Sequence, residues 1–527
     1  MQTNTLDMTP TLRDIMVANA QAYGDRAAYV HDDRVLTYAE YLVESRKLAS
    51  ALNRVGVRQQ DRVGLLGMNS IDYMVMYGAC QFSGYIASTV NFRLAGPEME
   101  YVINDAGQRV LIFEAQYADI IGNLRSRLGS VETYICLADP AHPSPEWALD
   151  YAEFVASGDP AGPDLPPPAR GDLVYLMYTS GTTGWPKGVM LDHSGQVNNA
   201  RSIVHALSNN TSDEMLLMMP YFHVGAKALE LAQFWVAGCV HVHREFNPEA
   251  ILRTVSEQKI TISHMAPTMI QAILECPAIE KYDVSSLSRI LYSAAAMPTP
   301  VLRKALDTFG SIFVQMYGQT EGGGTILPVT AHKPDGDEKD QRRLGSIGHA
   351  VPGTLFKAVD DDDNTLPTGE PGELCYRGPA MMRGYWNNSN ASIEALRGGW
   401  IHTGDVAKID EDGYIYLVDR KKDMIISGGE NIYSREVEEA LLQHPAVSEA
   451  AVIGVPSKKW GEAVCAIIVA VKGQKPTAKE IIAHSREVIA SYKRPQVVHF
   501  VDDLPKLVSG KISKIDLRKT FNTPLDE

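Results

Sequence analysis

The sequence predicts an α/β protein built mainly from parallel sheets with helices on both faces. Two observations lead to this prediction. Across residues 12–135, amphipathic helical patterns such as 38–55 alternate with short apolar runs such as RVGLL at 62–66. The same alternation returns across residues 215–329, with strands predicted at 240–243 and 260–263. Strands that alternate with helices in this way form parallel sheets that are covered on both sides.

The remaining segments follow in chain order. Residues 157–172 are rich in proline and glycine and predict a surface connection, which an apolar strand follows at 173–177. After Lys357, short strands and turn signals dominate, with a strand predicted at 413–417. A small α/β unit begins near Asp419. Residues 419–423 (DRKKD) show no helical pattern, and we expect a hinge there.

Composition excludes several classes of function. The 527 residues include 49 Lys and Arg against 64 Asp and Glu, which gives a formal net charge of −15. Because no cluster of basic residues offsets this charge, we expect no binding to nucleic acid. The six cysteines lie tens of residues apart and predict reduced thiols, without a zinc site or a disulfide framework. No apolar run reaches the roughly 20 residues that cross a bilayer, and no leader pattern opens the chain, so we expect a cytoplasmic protein without integral membrane contact.

The most informative segment is a glycine-rich loop at residues 178–188 (YTSGTTGWPKG). Its glycines allow backbone N–H groups to approach an anion closely, its hydroxyl groups can donate to phosphate oxygens, and Lys187 adds a positive charge. The loop differs from the Walker pattern, since no Gly-Lys-Ser/Thr follows at the required distance. The segment therefore predicts a polyphosphate site outside the ordinary P-loop class.

This loop resembles the phosphate loop of the adenylate-forming enzymes, which include acyl-CoA synthetases, luciferases and the adenylation domains of peptide synthetases. Further motifs of that family follow in the same order: YGQTE at 317–321, WIHTGD at 400–405, Asp419-Arg420, SGGEN at 427–431 and PKLVSGK at 505–511. The resemblance covers almost the whole chain. It implies a large N-terminal domain of helix-covered sheets with a distorted β-barrel subdomain (residues 1–418), a hinge (419–423) and a small mobile α+β C-terminal domain (424–527).

The resemblance implies a reaction in two steps that uses ATP, Mg²⁺ and coenzyme A. A carboxylic acid first attacks the α-phosphate of ATP to give an acyl adenylate and pyrophosphate, and the thiol of coenzyme A then displaces AMP. Because an anion approaches a polyanion, the site must supply positive charge and hydrogen-bond donors. By resemblance, the nucleotide-binding residues are Thr179, Ser180, Gly181, Thr182, Thr183, Gly184, Lys187, Ala294, Ala295, Tyr317, Gly318, Thr320, Asp405 and Arg420.

The same resemblance assigns individual roles. Glu321 would hold Mg²⁺, Thr320 would donate to the α-phosphate, and Lys511 would bridge the carboxylate and the α-phosphate. Tyr317 would stack on adenine, with core packing as the alternative, and Asp405 and Arg420 would bind the ribose. The last group controls access and movement. His223 would gate the passage to the thiol site and position the carboxylate, and Lys422 would act as the hinge. Ser427, Gly428 and Gly429 would line the tunnel for coenzyme A.

We therefore expect an AMP-forming acyl-CoA synthetase for a medium- or long-chain fatty acid or a bulky aryl acid. The alternatives are a ligase specific for hydroxycinnamates such as coumarate or ferulate, a ligase that loads a carrier protein, a luciferase-like oxidase, and a nucleotide-binding scaffold without turnover. Glycines at 225 and 322–324 predict a roomy acyl channel. Lys227 either meets a polar group of the acid or lies exposed. The sequence leaves the oligomeric state open, with a homodimer among the alternatives.

Overall fold

The computed structural model describes residues 9–179, 185–293, 297–427, 430–506 and 512–522. Its helices are α1 (Leu12–Ala22), α2 (Tyr38–Arg54), α3 (Ile71–Ser83), α4 (Gly96–Ala106), α5 (Ala118–Leu124), α6 (Tyr151–Ala156), α7 (His193–Leu207), α8 (Val224–Trp235), α9 (Pro248–Gln258), α10 (Pro267–Leu274), α11 (Thr299–Phe309), α12 (Glu338–Arg343), α13 (Ser389–Ala395), α14 (Ser434–Leu441), α15 (Ala478–Val488) and α16 (Lys514–Phe521).

The first half of the strands is β1 (Ala27–His31), β2 (Arg34–Thr37), β3 (Arg62–Leu66), β4 (Ile86–Thr89), β5 (Val110–Glu114), β6 (Thr133–Leu137), β7 (Leu149–Asp150), β8 (Leu173–Thr179), β9 (Lys187–Asp192), β10 (Glu214–Leu217), β11 (Cys239–Val242), β12 (Ile262–Met265) and β13 (Arg289–Tyr292). The second half is β14 (Phe313–Gln319), β15 (Gly322–Leu327), β16 (His349–Ala350), β17 (Leu355–Val359), β18 (Gly372–Arg377), β19 (Ile401–Ile409), β20 (Ile415–Arg420), β21 (Ile425–Ser427), β22 (Glu430–Ile432), β23 (Val447–Ser457), β24 (Gly461–Ala470) and β25 (Val497–Phe500).

The chain divides into two compact units. The first unit comprises Met1–Leu344, Ala350–Leu355 and Arg377–Ile401, and the second comprises Gly345–His349, Phe356–Tyr376 and His402–Glu527. The α/β class predicted from the sequence is confirmed. The strand β3 coincides with the predicted strand at 62–66, whereas β12 and β20 each begin two residues after the predicted start.

Two mixed sheets form the first unit. One has the strand order β7-β6-β5-β3-β4-β8-β9 and is parallel except for the β8–β9 pair. The other contains β15-β14-β13-β12-β10-β11-β1-β2, with a parallel centre and the antiparallel pairs β14–β15 and β1–β2 at its ends. Every residue of β5 is buried, as expected for a central parallel strand that helices cover on both faces.

Local sequence signals explain where these helices begin and end. At the start of α2, the Thr37 side chain accepts from the backbone N–H of Glu40, and the Glu40 carboxylate accepts from the backbone N–H of Thr37. This reciprocal pair is the capping box that satisfies donors at a helix N-terminus. Helix α3 starts at the N-cap Ser70 and ends at Gly84, whose φ of 73° is left-handed and suits glycine.

The second unit contains two further sheets. One has the order β17-β18-β19-β20, and the other has the order β22-β21-β24-β23, with β25 beside β24. The long antiparallel pair β23–β24 is buried on both faces: Val452 and Ile468 pack toward α14 and α15, while Ile453 and Ile467 belong to the cluster that includes Leu517 of α16. This unit therefore has an apolar core on each side of one hairpin.

Candidate active site

The phosphate-loop residues that the structure describes stand at the ends of a hairpin. Thr179 is the last residue of β8 and Lys187 is the first residue of β9, and the two lie opposite each other in the antiparallel ladder. The other predicted loop residues, Ser180 to Gly184, lie outside the described residues. The Lys187 ammonium lies 5.0 Å from the centre of the Tyr385 ring, which is a cation–π distance.

The YGQTE motif forms a second hairpin in the same unit. Tyr317 and Gly318 lie on β14, Thr320 and Glu321 follow it, and β15 returns antiparallel. The Tyr385 hydroxyl donates to Glu321 Oε1 over 2.7 Å. Burial, together with the negative charge of Glu321, raises the pKa of Tyr385 above its usual value, so this phenol stays protonated and keeps donating. Tyr385 therefore contacts both Lys187 and Glu321.

The segment that carries Tyr385 is fixed by backbone hydrogen bonds to β9. The Met190 N–H donates to the Gly384 carbonyl over 3.0 Å, and the Trp386 N–H donates to the Gly188 carbonyl over 2.7 Å. Gly384 has a φ of 133°, a backbone conformation that favours glycine. The Tyr385 ring is thus held beside the phosphate hairpin by the main chain as well as by its own hydrogen bond.

The chemistry of Glu321 suits a magnesium ion. Among the described residues, only Oε1 of this carboxylate has a hydrogen-bond partner, which leaves Oε2 available as a ligand. Mg²⁺ prefers oxygen ligands and is commonly held by one or two carboxylates together with phosphate oxygens of the substrate. Glu321 therefore fits the predicted role, with Tyr385 orienting its carboxylate.

His223 lies at the carboxyl end of the second sheet of this unit. It is the N-cap of α8, and its Nδ1 accepts from the Gly225 N–H over 3.1 Å. His264 on β12 lies nearby, and its Nε2 is 2.7 Å from the Ser293 hydroxyl oxygen, directly after β13. Ligands of open α/β sheets bind at the carboxyl ends of the strands, which is where these three side chains lie. The predicted contacts Ala294 and Ala295 are outside the described residues.

Two expectations about the acyl channel need correction. Lys227 is not exposed: it is completely buried, its ammonium lies 2.5 Å from Glu230 Oε2, and it lies 4.3 Å from the centre of the Tyr77 ring. The small size of Gly324 also has a packing reason, because a Cβ there would lie 3.1 Å from the Val351 side chain. Gly324 therefore gives no support for a roomy channel.

The ribose-binding candidates lie together in the second unit. Asp405 on β19 pairs with Arg420 at the end of β20, and the Arg420 Nε lies 3.2 Å from Asp405 Oδ1. The turn before Asp405 is held by Glu373, whose Oε1 accepts from the Gly404 N–H over 3.2 Å. Glu373 Oε2 lies 3.4 Å from the ammonium of Lys421, next to the predicted hinge residue.

The remaining predicted residues also fall in the second unit. Burial lowers the pKa of the hinge candidate Lys422 to about 8. Ser427 ends β21, while Gly428, Gly429 and Lys511 lie outside the described residues. A backbone bridge links Lys506 with Ile512, the described residues on either side of the gap at 507–511.

Sequence reasoning missed three residues of this arrangement: Tyr385, His264 and Glu373. Each of them makes a hydrogen bond to a residue more than 25 positions away in the chain. A local signal existed for Tyr385, because a glycine with two aromatic residues (GYW, 384–386) follows the last strand motif before α13. His264 and Glu373 lie within ordinary strand patterns, and nothing local distinguishes them.

The motifs that resemble those of adenylate-forming enzymes lie on the β8–β9 and β14–β15 pairs of the first unit and on the β19–β20 pair of the second, so each unit is compatible with that class of enzyme. Comparison with known protein families leads to the same class of enzyme. The AMP-binding enzyme family matches residues 16–386, and the AMP-binding enzyme C-terminal domain matches residues 436–511. The chain belongs to the AMP-binding enzyme family, and it is an AMP-forming carboxylic acid–CoA ligase that uses ATP, Mg²⁺ and coenzyme A.

Individual relatives cover nearly the full chain. A feruloyl-CoA synthase from Amycolatopsis sp is 37% identical over 96% of this chain and 98% of its own length. A fatty acid–[acyl-carrier-protein] ligase from Streptomyces coeruleorubidus is 33% identical over 95% of both chains. Among solved structures, an anthranilate CoA ligase in complex with anthranoyl-AMP has a TM-score of 0.87 and 29% identity, covering 99% of both chains. Within the described part of the chain, every helix is too short or too polar to span a membrane.

Proposed function

We propose that this ligase activates a medium- or long-chain fatty acid or a bulky aryl acid through an acyl adenylate and transfers the acyl group to coenzyme A. The observation that carries the adenylation step is the contact of Tyr385 with both Lys187 and Glu321, because it joins a phosphate-binding cation to a metal-binding carboxylate. Relatives that act on feruloyl, anthraniloyl and fatty acyl groups support the acid class.

Each site residue has a proposed part in the first step. Lys187 and the hydroxyl-rich loop bind the β- and γ-phosphates, Thr320 donates to the α-phosphate, and Glu321 holds Mg²⁺. When bound, Mg²⁺ offsets negative charge on the phosphates. The hydrogen bond from Tyr385 keeps the Glu321 carboxylate in one orientation, so that binding does not have to reorganise it.

The nucleoside is bound by a second group. Tyr317 stacks on adenine, Gly318, Ala294 and Ala295 are further nucleotide-binding residues, and Asp405 accepts from the ribose hydroxyls. The Arg420 Nε, 3.2 Å from Asp405 Oδ1, holds that carboxylate in place beside the ribose. His223 gates the passage to the thiol.

Lys511 and Lys422 have proposed roles in different steps. Lys511 bridges the acid and the α-phosphate, whereas Lys422, within a hinge at 419–423, lets the domain 424–527 rotate against residues 1–418 so that Ser427, Gly428 and Gly429 reach coenzyme A. We expect Lys511→Ala to lower pyrophosphate release at least a hundredfold while thioester formation from supplied acyl adenylate continues. Lys422→Pro should have the opposite effect. Equal damage to both steps in both variants would contradict the two-geometry mechanism.

The acid is tested with a panel of carboxylic acids, from acetate to long-chain fatty acids and hydroxycinnamates, scored by pyrophosphate release with coenzyme A present. We expect the highest kcat/KM for a fatty acid of medium or greater length or for a bulky aryl acid. A preference for acetate would contradict the proposal.

The relative that loads an acyl carrier protein favours one second candidate, transfer to a protein-bound phosphopantetheine. Thioester formation with free coenzyme A is therefore measured against formation with a phosphopantetheinylated carrier protein. We propose coenzyme A as the preferred acceptor.

We also propose a cytoplasmic location, which is supported by six cysteines that are all free thiols. We propose a homodimer as the oligomeric state, and light scattering of the purified enzyme tests it.

A further inference from the structure

Three polar side chains lie in a row at the carboxyl edge of the second sheet of the first unit. In the ladder of parallel strands, Leu217 of β10 lies beside His264 of β12, and His264 lies beside Leu291 of β13. Ser293 follows the last residue of β13, and its hydroxyl oxygen lies 2.7 Å from His264 Nε2. His223 begins α8 after β10. This row therefore lies where an α/β sheet binds its ligand.

The two imidazoles of this row are close to each other. Gly225 lies between them: a Cβ built on it would be 3.3 Å from His223 Nδ1 and 3.7 Å from His264 Cε1. A side chain at this position would press on the His223 ring and would make ordinary van der Waals contact with the His264 ring. Gly225 therefore packs against both imidazoles.

The hydrogen bond of His264 has a definite direction. The ring is buried, and its Nδ1 has no hydrogen-bond partner in the described structure. Burial and the neighbouring His223 lower the pKa of His264 to about 4, so the ring is neutral and carries one N–H. A buried N–H without a partner is rarer than a buried acceptor without one. The proton therefore lies on Nε2, which donates to Ser293 Oγ over 2.7 Å.

The direction of the His264–Ser293 hydrogen bond determines which further hydrogen bond the Ser293 hydroxyl can make. Since its oxygen already accepts from His264, its own hydroxyl hydrogen points elsewhere. Ser293 is partly exposed, and His264 is its hydrogen-bond partner among the described residues. A partly exposed donor at the ligand edge of the sheet is suited to an acceptor on the substrate rather than to the core.

We propose that the Ser293 hydroxyl donates a hydrogen bond to an oxygen of the bound carboxylic acid, and that His264 is a positioning residue that orients this hydroxyl. The inference rests on the proposed function of the site. It adds a contact to the acid and not to the nucleotide, and this difference can be measured.

Two variants of His264, one of Ser293 and one control variant separate a positioning role of His264 from a structural one. In His264→Gln, the side-chain amide can place an N–H where Nε2 lies, whereas the shorter His264→Asn cannot reach Ser293. Ser293→Ala removes the donor while leaving the buried ring in place. His332 is a matched control: it is also buried in this unit, but it bonds to Tyr292 and to the Pro328 carbonyl instead. His332→Gln therefore reports the general cost of replacing a buried histidine.

The measurement is KM for the best acid of the panel and KM for ATP, each by pyrophosphate release. We expect Ser293→Ala and His264→Asn each to raise KM for the acid about three- to tenfold, the range of one neutral hydrogen bond, with KM for ATP unchanged. His264→Gln should stay within twofold of the wild type, and the double variant His264→Asn/Ser293→Ala should be no worse than Ser293→Ala alone.

Three results would overturn the inference: an unchanged KM for the acid in Ser293→Ala, an equal rise of KM for ATP, or a His264→Gln variant as impaired as His264→Asn. Ser293→Ala carries the test by itself if His264→Asn does not fold. The wild-type enzyme tests the proposed function separately. If the wild type adenylates no acid of the panel, the proposed function is wrong. If the wild type is active and one of the three results above is found, only the role of Ser293 and His264 is wrong.

Discussion

Replacing Tyr385 with phenylalanine should weaken the response to Mg²⁺. The substitution keeps the ring beside Lys187 and removes only the hydroxyl that donates to Glu321 Oε1 over 2.7 Å. Hydrogen bonds to charged groups contribute about 1.5–3 kcal/mol, and loss of a partner that orients a metal ligand typically lowers metal affinity about 10- to 100-fold. These two ranges agree, since about 1.4 kcal/mol corresponds to a factor of ten.

The assay is pyrophosphate release as a function of Mg²⁺ concentration at saturating acid and total ATP. We expect Tyr385→Phe to need about 10- to 100-fold more Mg²⁺ for half-maximal activity and to regain most of the wild-type rate at high Mg²⁺. Tyr416→Phe is the matched control, because the Tyr416 hydroxyl donates to Asp410 over 3.0 Å in the other unit. An unchanged Mg²⁺ profile in Tyr385→Phe, or the same shift in the control, would refute the role assigned to this hydroxyl.

Two further predictions concern stability. Lys227→Met should lower the free energy of unfolding by about 3–5 kcal/mol in urea titrations, because it leaves the buried Glu230 carboxylate without its countercharge, although the Tyr29 hydroxyl still donates to it. Lys227→Met/Glu230→Leu should recover part of the loss, since it removes the buried charge but leaves the Tyr29 hydroxyl without its acceptor. Burial lowers the pKa values of His193, His264 and His332 to about 4, so the unfolded chain binds protons first as the pH falls below about 6.5. Stability should therefore decrease between pH 6.5 and 4, by up to about 2 kcal/mol for each ring at pH 5, and urea midpoints that do not change between pH 7 and 5 would contradict this.

The sequence predicts those features of the fold and site that depend on local patterns. The alternation of helices and strands, the glycine-rich hairpin and the Thr-Gly-Asp turn are all contiguous in the chain, and the structure places Thr179 and Lys187 at adjacent hairpin ends as a contiguous motif requires. The register of β14 and β15 likewise follows from a short turn at 320–321.

Features that depend on distant partners could not be predicted in this way. Lys227 lies on α8, whose residues 226–234 are all buried, and its charge is compensated by Glu230 and by the tyrosine ring from α3, both of which pack against it only in the folded unit. Tyr385 meets Glu321 across 64 positions of sequence, because residues 384–386 pair with β9. Such contacts follow from packing of the whole unit, which no local spacing encodes.

The central claim is that this enzyme cleaves ATP between the α- and β-phosphates. The direct test is the product balance of the purified enzyme with its best acid, ATP, Mg²⁺ and coenzyme A, followed by separation of the nucleotides. We expect one AMP and one pyrophosphate for each acyl-CoA formed. Formation of ADP and orthophosphate in that ratio, without AMP, would contradict it.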